Sequence, residues 1–507
     1  MIFEFDKSSK TVSELLAEEG AAPDTTCGGR GTCGKCRVRA SGKLSSITAA
    51  ERSLLTREEI AAGVRLACQV KPAGPCSVRL EERRGQIILT GGMLPDFTFG
   101  PERGTLGFAV DVGTTTLAGY LYDLKAAKLL NEVSALNPQR IYGADVISRM
   151  QKSLEGGERE LSDCILRGID SLALKAAGNR AGDIDYIVIA GNTAMLYLLT
   201  GRSVGSVARA PFEADCLFGE TVTASGLGLR IPKKDAAVYL CRSASAYVGA
   251  DITAAALSSR LASRNGANLL IDVGTNGEMV LSIDGRMLCC STAAGPALEG
   301  AGISMGSGAV AGAVSRVSAE NGAIACEVIG GGKAQSICGS GIVDAVAAFL
   351  KLGAVDETGR INKEASRELG ILMEADGEEG LRLADKLYIT QKDIRAVQLA
   401  KAAICAGCIA ILKHCGLRPE EVDTLFLAGG FGSFIDPVSA ERIGLIPAPL
   451  GRKAVVLGNA AGAGASMILL SGAERAASEA LASCMETVPL YKDEIFLEEY
   501  INRMIFE

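Results

Sequence analysis

The stretch that decides the fold is Gly107-Phe108-Ala109-Val110-Asp111-Val112-Gly113-Thr114-Thr115-Thr116-Leu117-Ala118-Gly119-Tyr120. It is echoed later by Leu269-Leu270-Ile271-Asp272-Val273-Gly274-Thr275-Asn276-Gly277-Glu278-Met279-Val280. Each copy reads as an apolar strand, a tight Asp-Val-Gly-Thr turn and a second strand. The turn suits a nucleotide: glycine allows positive φ, amides and threonine hydroxyls can face phosphate oxygens, and aspartate can hold hydrated Mg²⁺. One copy alone would be weak evidence, because Asp-x-Gly-Thr also makes an ordinary β-turn. Two copies make Asp111 and Asp272 the candidate metal-side carboxylates. Gly113, Thr114, Thr115 and Thr116 then form one phosphate loop, and Gly274, Thr275 and Asn276 the other.

A third element, Val422-Asp423-Thr424-Leu425-Phe426-Leu427-Ala428-Gly429-Gly430-Phe431-Gly432, reads as a strand ending in a diglycine that opens toward a helix. Gly429 and Gly430 leave room for a flat ring or a phosphate to approach. In this order the three elements resemble the actin, sugar-kinase and heat-shock ATPase superfamily. The resemblance implies two lobes, 105–265 and 266–507, closing on ATP. Ile189-Ala190-Gly191-Asn192-Thr193-Ala194-Met195 and Cys338-Gly339-Ser340-Gly341-Ile342-Val343-Asp344-Ala345 fall where that superfamily has connecting helices. Glu278, and Glu299 in Gly295-Pro296-Ala297-Leu298-Glu299-Gly300, are candidates to orient a water; the plainer reading is surface carboxylates or groups around the cation. No P-loop is present, since the glycine-rich run 302–308 lacks the Lys-Ser/Thr ending.

Upstream lies Cys27-Gly28-Gly29-Arg30-Gly31-Thr32-Cys33-Gly34-Lys35-Cys36, answered by Cys68. The first gap is one residue longer than in the plant-type iron–sulfur pattern C-x4-C-x2-C…C. A two-iron cluster needs four thiolates around a small anionic core, and Gly28, Gly29, Gly31 and Gly34 let the backbone wrap with its amides aimed at sulfur. Four cysteines can also close a tetrahedral zinc site, which usually shows two C-x2-C pairs. Cys68 stands alone, which favours the cluster and leaves zinc open; Cys76 reads as a bystander. A strand over 1–5 and a helix capped by Thr11, with Glu14 three residues on, complete the unit 1–82. Residues 83–104, with Gly91-Gly92, Pro95, Gly100, Pro101 and Gly104, read as a linker; about 20 flexible residues would span roughly 25 Å.

Composition bounds the rest. A chain of 507 residues is too long for one core and predicts two to four units. A net charge of −7 argues against nucleic acid. The apolar runs 402–412 and 454–470 are too short or too broken for a bilayer. Sixteen cysteines spread through so large a chain, behind an N-terminus without signal-peptide character, predict a reducing cytoplasm. The single histidine, His414, rules out multi-histidine metal sites and is placed to meet carbonyls at a helix end. Cys405 and Cys408, on one face of a helix over 391–414, read as packing, and so does Cys289-Cys290 in a strand.

The whole arrangement is a multidomain α/β chain. An N-terminal plant-type ferredoxin-like β-grasp of α+β type, a linker and a two-lobed ATPase follow in order, and together they resemble the reductive activators of corrinoid-dependent methyltransferase systems. The likeness extends to Asn137-Pro138-Gln139, Tyr142-Gly143-Ala144-Asp145-Val146, Gly191-Asn192-Thr193, Gly295-Pro296-Ala297, Ile337-Cys338-Gly339-Ser340-Gly341, Gln391-Lys392-Asp393-Ile394-Arg395 and the aromatic C-terminus. Tyr197 departs from it, standing where the family has a histidine. The linker runs directly into the ATPase, as in a shorter member without an added middle domain. The resemblance implies a [2Fe-2S] cluster on Cys27, Cys33, Cys36 and Cys68 and ATP with Mg²⁺. It also implies a corrinoid protein as partner and an unidentified electron donor and leaves a homodimer open, while the charge and the short apolar runs argue against nucleic acid and membrane. A metabolite kinase and an ATP-gated redox switch with a fused ferredoxin domain are the alternatives.

Overall fold

A computed structural model describes residues 1–506 apart from 20, 22, 24–26, 81–93, 321, 376 and 430–433. The N-terminal unit is an antiparallel sheet of β1 (Ile2–Phe5), β2 (Arg37–Leu44), β3 (Val64–Leu66) and β4 (Pro72–Arg79) in the order β1-β4-β2-β3. It packs on the helix Val12–Glu18, whose start is fixed by the Thr11–Glu14 capping box. Val12, Leu16, Val38, Leu66, Val70 and Val78 form its core. Glu51 is buried there, bonded to Arg65 at 2.8 Å and to the Leu66 amide at 3.1 Å. Burial opposes its charge, but these bonds win and hold the carboxyl below its usual range.

Each later lobe repeats one topology. Lobe I contains β5 (Leu106–Val112), β6 (Thr116–Asp123), β7 (Lys128–Leu136), β8 (Tyr186–Gly191), β9 (Glu220–Thr223) and β10 (Ala237–Leu240), ordered β7-β6-β5-β8-β10-β9. Lobe II contains β11 (Ala267–Val273), β12 (Gly277–Ile283) and β13 (Arg286–Thr292). Two small sheets follow, made of β14 (Ala313–Glu320), β15 (Ala323–Val328), β16 (Ser336–Ile337), β17 (Leu372–Ala375), β18 (Glu378–Arg382) and β19 (Tyr388–Thr390). The main sheet is completed by β20 (Thr424–Ala428), β21 (Ala454–Gly458) and β22 (Met485–Thr487), in the order β21-β20-β11-β12-β13-β22. In both lobes the first strand lies antiparallel to the second and parallel to the fourth. Helices cover both faces, so the central strands β5, β8 and β11 are almost continuously apolar.

The lobes are not built from consecutive sequence alone. The buried helix Ala460–Leu470 follows β21 of lobe II, yet packs on β5, β8 and the helix Ala250–Ser258 of lobe I. Gly464 permits the contact, because a Cβ there would lie 2.0 Å from the Ala254 carbonyl oxygen. The second half of the expected linker is fastened to lobe I: Gly100 exchanges backbone bonds with Leu470 and Gly472, and Glu102 pairs with Arg475 at 2.8 Å. Residues 83–93 of that linker lie outside the described residues.

The one helix long and apolar enough to cross a membrane among the described residues, Gln391–Lys413, is buried in lobe II, with Cys405 and Cys408 in its packing. Cys289 and Cys290 are buried in β13. His414 differs from expectation: its Nε2 meets Asp493 Oδ2 at 2.6 Å, which fastens the C-terminal helix Glu494–Asn502, rather than meeting terminal carbonyls.

Gly464→Ala should destabilise the lobes by about 3 kcal/mol, the upper end of overpacking costs, because backbone sits where the methyl must go. Scanning calorimetry would show the lowered transition; an unchanged midpoint would contradict the packing.

Candidate functional site

Asp111 and Asp272 stand at equivalent places, each at the end of the first strand of its lobe. Each is paired across the parallel neighbour with a small residue, Ala190 and Ala428 respectively. The two strand ends face one cleft of about 1210 Å³, open to solvent between the lobes. It is lined by Asp111, Gly113, Thr114, Thr115, Thr116, Asp272, Gly274, Thr275, Asn276, Glu278, Glu299 and Gly429 together. Gly430 lies outside the described residues.

The floor is acidic. Burial pushes Asp111 up to about 6, restrained by a 2.9 Å bond from Asn459 Nδ2. Burial, then the charges of Asp111 and Glu299, push Asp272 up to about 7. Glu278, directly opposite Asp272 in the β11–β12 pairing, is raised well above the usual carboxylate range by burial and by Asp251 and Asp272. Asp251, which sequence reasoning did not single out, is driven to about 8 by burial, Asp272 and Asp111. Its only signal is an acidic residue in the first turn of the helix Ala250–Ser258, which reads as ordinary helix capping.

Two helix-capping asparagines, also missed, reach across the lobes. Asn192 caps the helix Thr193–Thr200 through Oδ1 and offers Nδ2 to Glu278 at 3.4 Å. Asn459 caps Ala460–Leu470 and offers Nδ2 to Asp111. Glu299 bridges the two phosphate loops: it accepts from Thr115 Oγ1 at 2.7 Å and from Thr275 Oγ1 at 2.9 Å.

The glycines work differently from expectation. Neither Gly113 nor Gly274 adopts positive φ. Gly113 is needed because a Cβ would lie 2.8 Å from the Thr116 carbonyl oxygen across the turn. At Gly429, φ +96, a Cβ would lie 2.6 Å from Asp272 Oδ1, so the bare Cα makes room for the carboxylate itself. Tyr197, where an imidazole was expected, lies in lobe I; its hydroxyl binds Asp215 and receives the Cys216 amide at 2.8 Å.

In the N-terminal unit the four thiols form two pairs. The free thiols of Cys27 and Cys33 act on one another, and Cys36 Sγ lies 3.3 Å from Cys68 Sγ. Among the described residues no three ligand groups close on a single metal position. Gly28, Gly29, Gly31 and Gly34 all have positive φ. For Cys27, burial is outweighed by the amides of Thr32 and Cys33, which hold the thiol below its ordinary value. Cys68 is pulled to about 6 by the Cys36 thiol, then by Gln69 and the Gly31 amide, against burial. Amides aimed at sulfur suit an anionic sulfur-rich group, so the residues fit an iron–sulfur cluster. Cys76 sits apart in β4, opposite Phe5.

The fold and site define an iron–sulfur domain carried on a two-lobed ATPase-type body. Residues 1–73 match the 2Fe-2S iron-sulfur cluster binding domain, 106–264 the RACo middle region, and 266–507 the C-terminal domain of RACo, the ASKHA domain. The chain is 31% identical to the corrinoid activation enzyme RamQ of Eubacterium limosum, over 99% of this chain and 97% of that protein. It is 26% identical to the [Co(II) methylated amine-specific corrinoid protein] reductase of Methanosarcina barkeri, over 70% of this chain and 68% of that one. The solved structure of a reductive activator for corrinoid, iron-sulfur protein superposes with a TM-score of 0.75 at 26% identity, over 99% of this chain and 96% of that one. The chain belongs to the RACo family. The residues that match the middle-region description, 106–264, are lobe I itself.

Cys33→Ser or Cys68→Ser should remove the visible absorption and most of the bound iron, whereas Cys76→Ser should keep both. Iron analysis of anaerobically purified variants decides it.

Proposed function

We propose that this chain is an ATP-dependent reductive activator of a corrinoid protein, returning one electron to cobalt that has slipped from Co(I) to Co(II). One observation carries the reading: a paired-thiol iron–sulfur unit and a duplicated phosphate cleft share one chain. Its relatives are named for corrinoid activation and for reduction of a Co(II) corrinoid protein.

The division into two thiol pairs supports a [2Fe-2S] cluster on Cys27, Cys33, Cys36 and Cys68 over a single zinc ion. When bound, such a cluster supplies a one-electron carrier near roughly −400 mV. Each ~60 mV of uphill transfer disfavours a one-electron step tenfold. A much lower cobalt couple therefore needs help, and lobe closure on nucleotide can favour a state of the corrinoid partner that is easier to reduce. An external donor refills the cluster. Sixteen free thiols suit a reducing cytoplasm.

In the cleft, Asp111 and Asp272 would hold hydrated Mg²⁺. Gly113, Thr114, Thr115 and Thr116 would contact phosphates on one side, and Gly274, Thr275 and Asn276 on the other. Gly429 with Gly430 would face the adenosine. Asp251, pushed up to about 8, holds a proton at neutral pH, while Glu278, its carboxyl raised by burial and by Asp251 and Asp272, would take a proton from an attacking water when ionised; Glu299 must release Thr115 and Thr275 as phosphate arrives. The functional division is 1–82, 83–104, 105–265 and 266–507, with the helix Ala460–Leu470 lent to the first lobe.

Asp111→Asn or Asp272→Asn should lower ATP turnover by at least about a hundredfold, the scale of losing one preorganised charge, with the cluster spectrum intact. Loss of the cluster in either variant would mean that the two halves are not separate. Turnover should also fall as pH drops through about 7 to 6, where Asp272 and then Asp111 take up protons and compete with Mg²⁺. Raising Mg²⁺ should shift that fall to lower pH. Conversion of a Co(II) corrinoid partner at equal rate without nucleotide would refute the coupling.

A further inference from the structure

The cluster loop rests on lobe I at a segment that also supports the first phosphate loop. A Cβ on Gly28 would lie 3.0 Å from Gly143 Cα and 3.3 Å from the Tyr142 carbonyl oxygen, and one on Gly29 would lie 3.6 Å from that of Ile141. The seating is backbone to backbone and tight at Gly28, and the positive φ of both residues, +60 and +82, favours glycine at each. Beside it, Arg30 Nη2 reaches Ser148 Oγ at 3.5 Å, and Ser148 is held by Asp145 through bonds of 2.8 and 2.9 Å.

The same segment is tied to the back of the phosphate loop. Asn137 donates through Nδ2 to the Gly113 carbonyl at 2.8 Å and through its amide to the Thr115 carbonyl at 2.9 Å. Arg149 is the stronger link. It is wholly buried, and its guanidinium joins the Thr114 carbonyl at 2.6 Å to the Gly143 carbonyl at 2.9 Å. One side chain therefore connects the loop facing phosphate to the residue on which Gly28 sits. At the far end, Thr115 is held by Glu299, which phosphate must displace.

We propose that Asn137 and Arg149 couple occupancy of the first phosphate loop to seating of the cluster loop on 141–148, with Arg149 as the positioning residue. The inference rests on the nucleotide reading of the cleft. Buried guanidinium bonds are costly to leave unmade, so a shift of the Thr114 carbonyl must be followed by Arg149 and hence by Gly143. Coupling of this kind is reciprocal: whatever unseats the cluster loop must change nucleotide affinity by the factor with which nucleotide changes the seating.

The test is hydrogen–deuterium exchange of the full-length, cluster-loaded protein with and without a non-hydrolysable ATP analogue and Mg²⁺. Amides in 27–36 and 139–146 should change their exchange when the analogue binds, and Arg149→Met should abolish that response. Should Arg149→Met fail to fold, Arg30→Glu places an anion toward Asp145 and unseats the loop from outside. It should then change the analogue's Kd at least about fivefold by calorimetry, with the cluster spectrum as control. Analogue binding with unchanged exchange at 27–36 in the unmodified protein would overturn the coupling alone. No analogue binding at all would overturn the nucleotide reading and the coupling with it.

Discussion

Five carboxylates line one cleft, and among the described residues that line it there is no lysine or arginine to neutralise them. Protons or a bound cation must do so. Asp111, Asp251, Asp272 and Glu278 all hold their protons more tightly in the fold than in an open chain. The sign follows: without a cation the contribution of the three aspartates to stability is fully present below the unfolded carboxylate range, about pH 4, and is lost as pH rises through about 6 to 8. A divalent cation replaces those protons and favours the arrangement at neutral pH. The duplicated strands, the small residues beside the aspartates and the cross-lobe asparagines all serve to keep like charges this close.

The duplication was legible because it is local and periodic. Two apolar strands around Asp-Val-Gly-Thr can be read without knowing what packs on them, and both fall at strand ends facing the cleft. The cysteine spacing was legible for a similar reason, since ligands from one loop announce themselves. What the spacing could not say is how the thiols divide. That depends on Cys36 meeting Cys68 and on the Gly31 amide turning toward Cys68, contacts between parts of the chain far apart in sequence.

Asp251, Asn192 and Asn459 were hidden by their ordinary roles. Each sits at a helix start, where Asp and Asn are common for capping alone; the meeting of the two lobes brings the side-chain amides of the two asparagines onto carboxylates and sets Asp251 beside Asp272 and Asp111. The helix Ala460–Leu470 was hidden by connectivity. Its apolar residues belong to the core of a lobe whose strands ended more than two hundred positions earlier. Gly113 was misread because its type was visible while its neighbours were not: it answers to crowding by the Thr116 carbonyl and has no unusual dihedral.

The run through Asn137-Pro138-Gln139 and Tyr142-Gly143-Ala144-Asp145 could be recognised in the sequence only by its likeness to a family. It has no metal-ligand spacing and no phosphate-loop chemistry. The structure supplies its physical content, because the segment has two faces: one takes the backbone of the phosphate turn through Asn137 and Arg149, and the other takes the backbone of the cluster loop through Gly143. A segment that satisfies carbonyls on one side and admits a close glycine contact on the other has little freedom to change at either. That double constraint explains why a stretch without chemistry of its own should look so specific, and it ties the iron–sulfur unit to the ATPase by more than the linker between them.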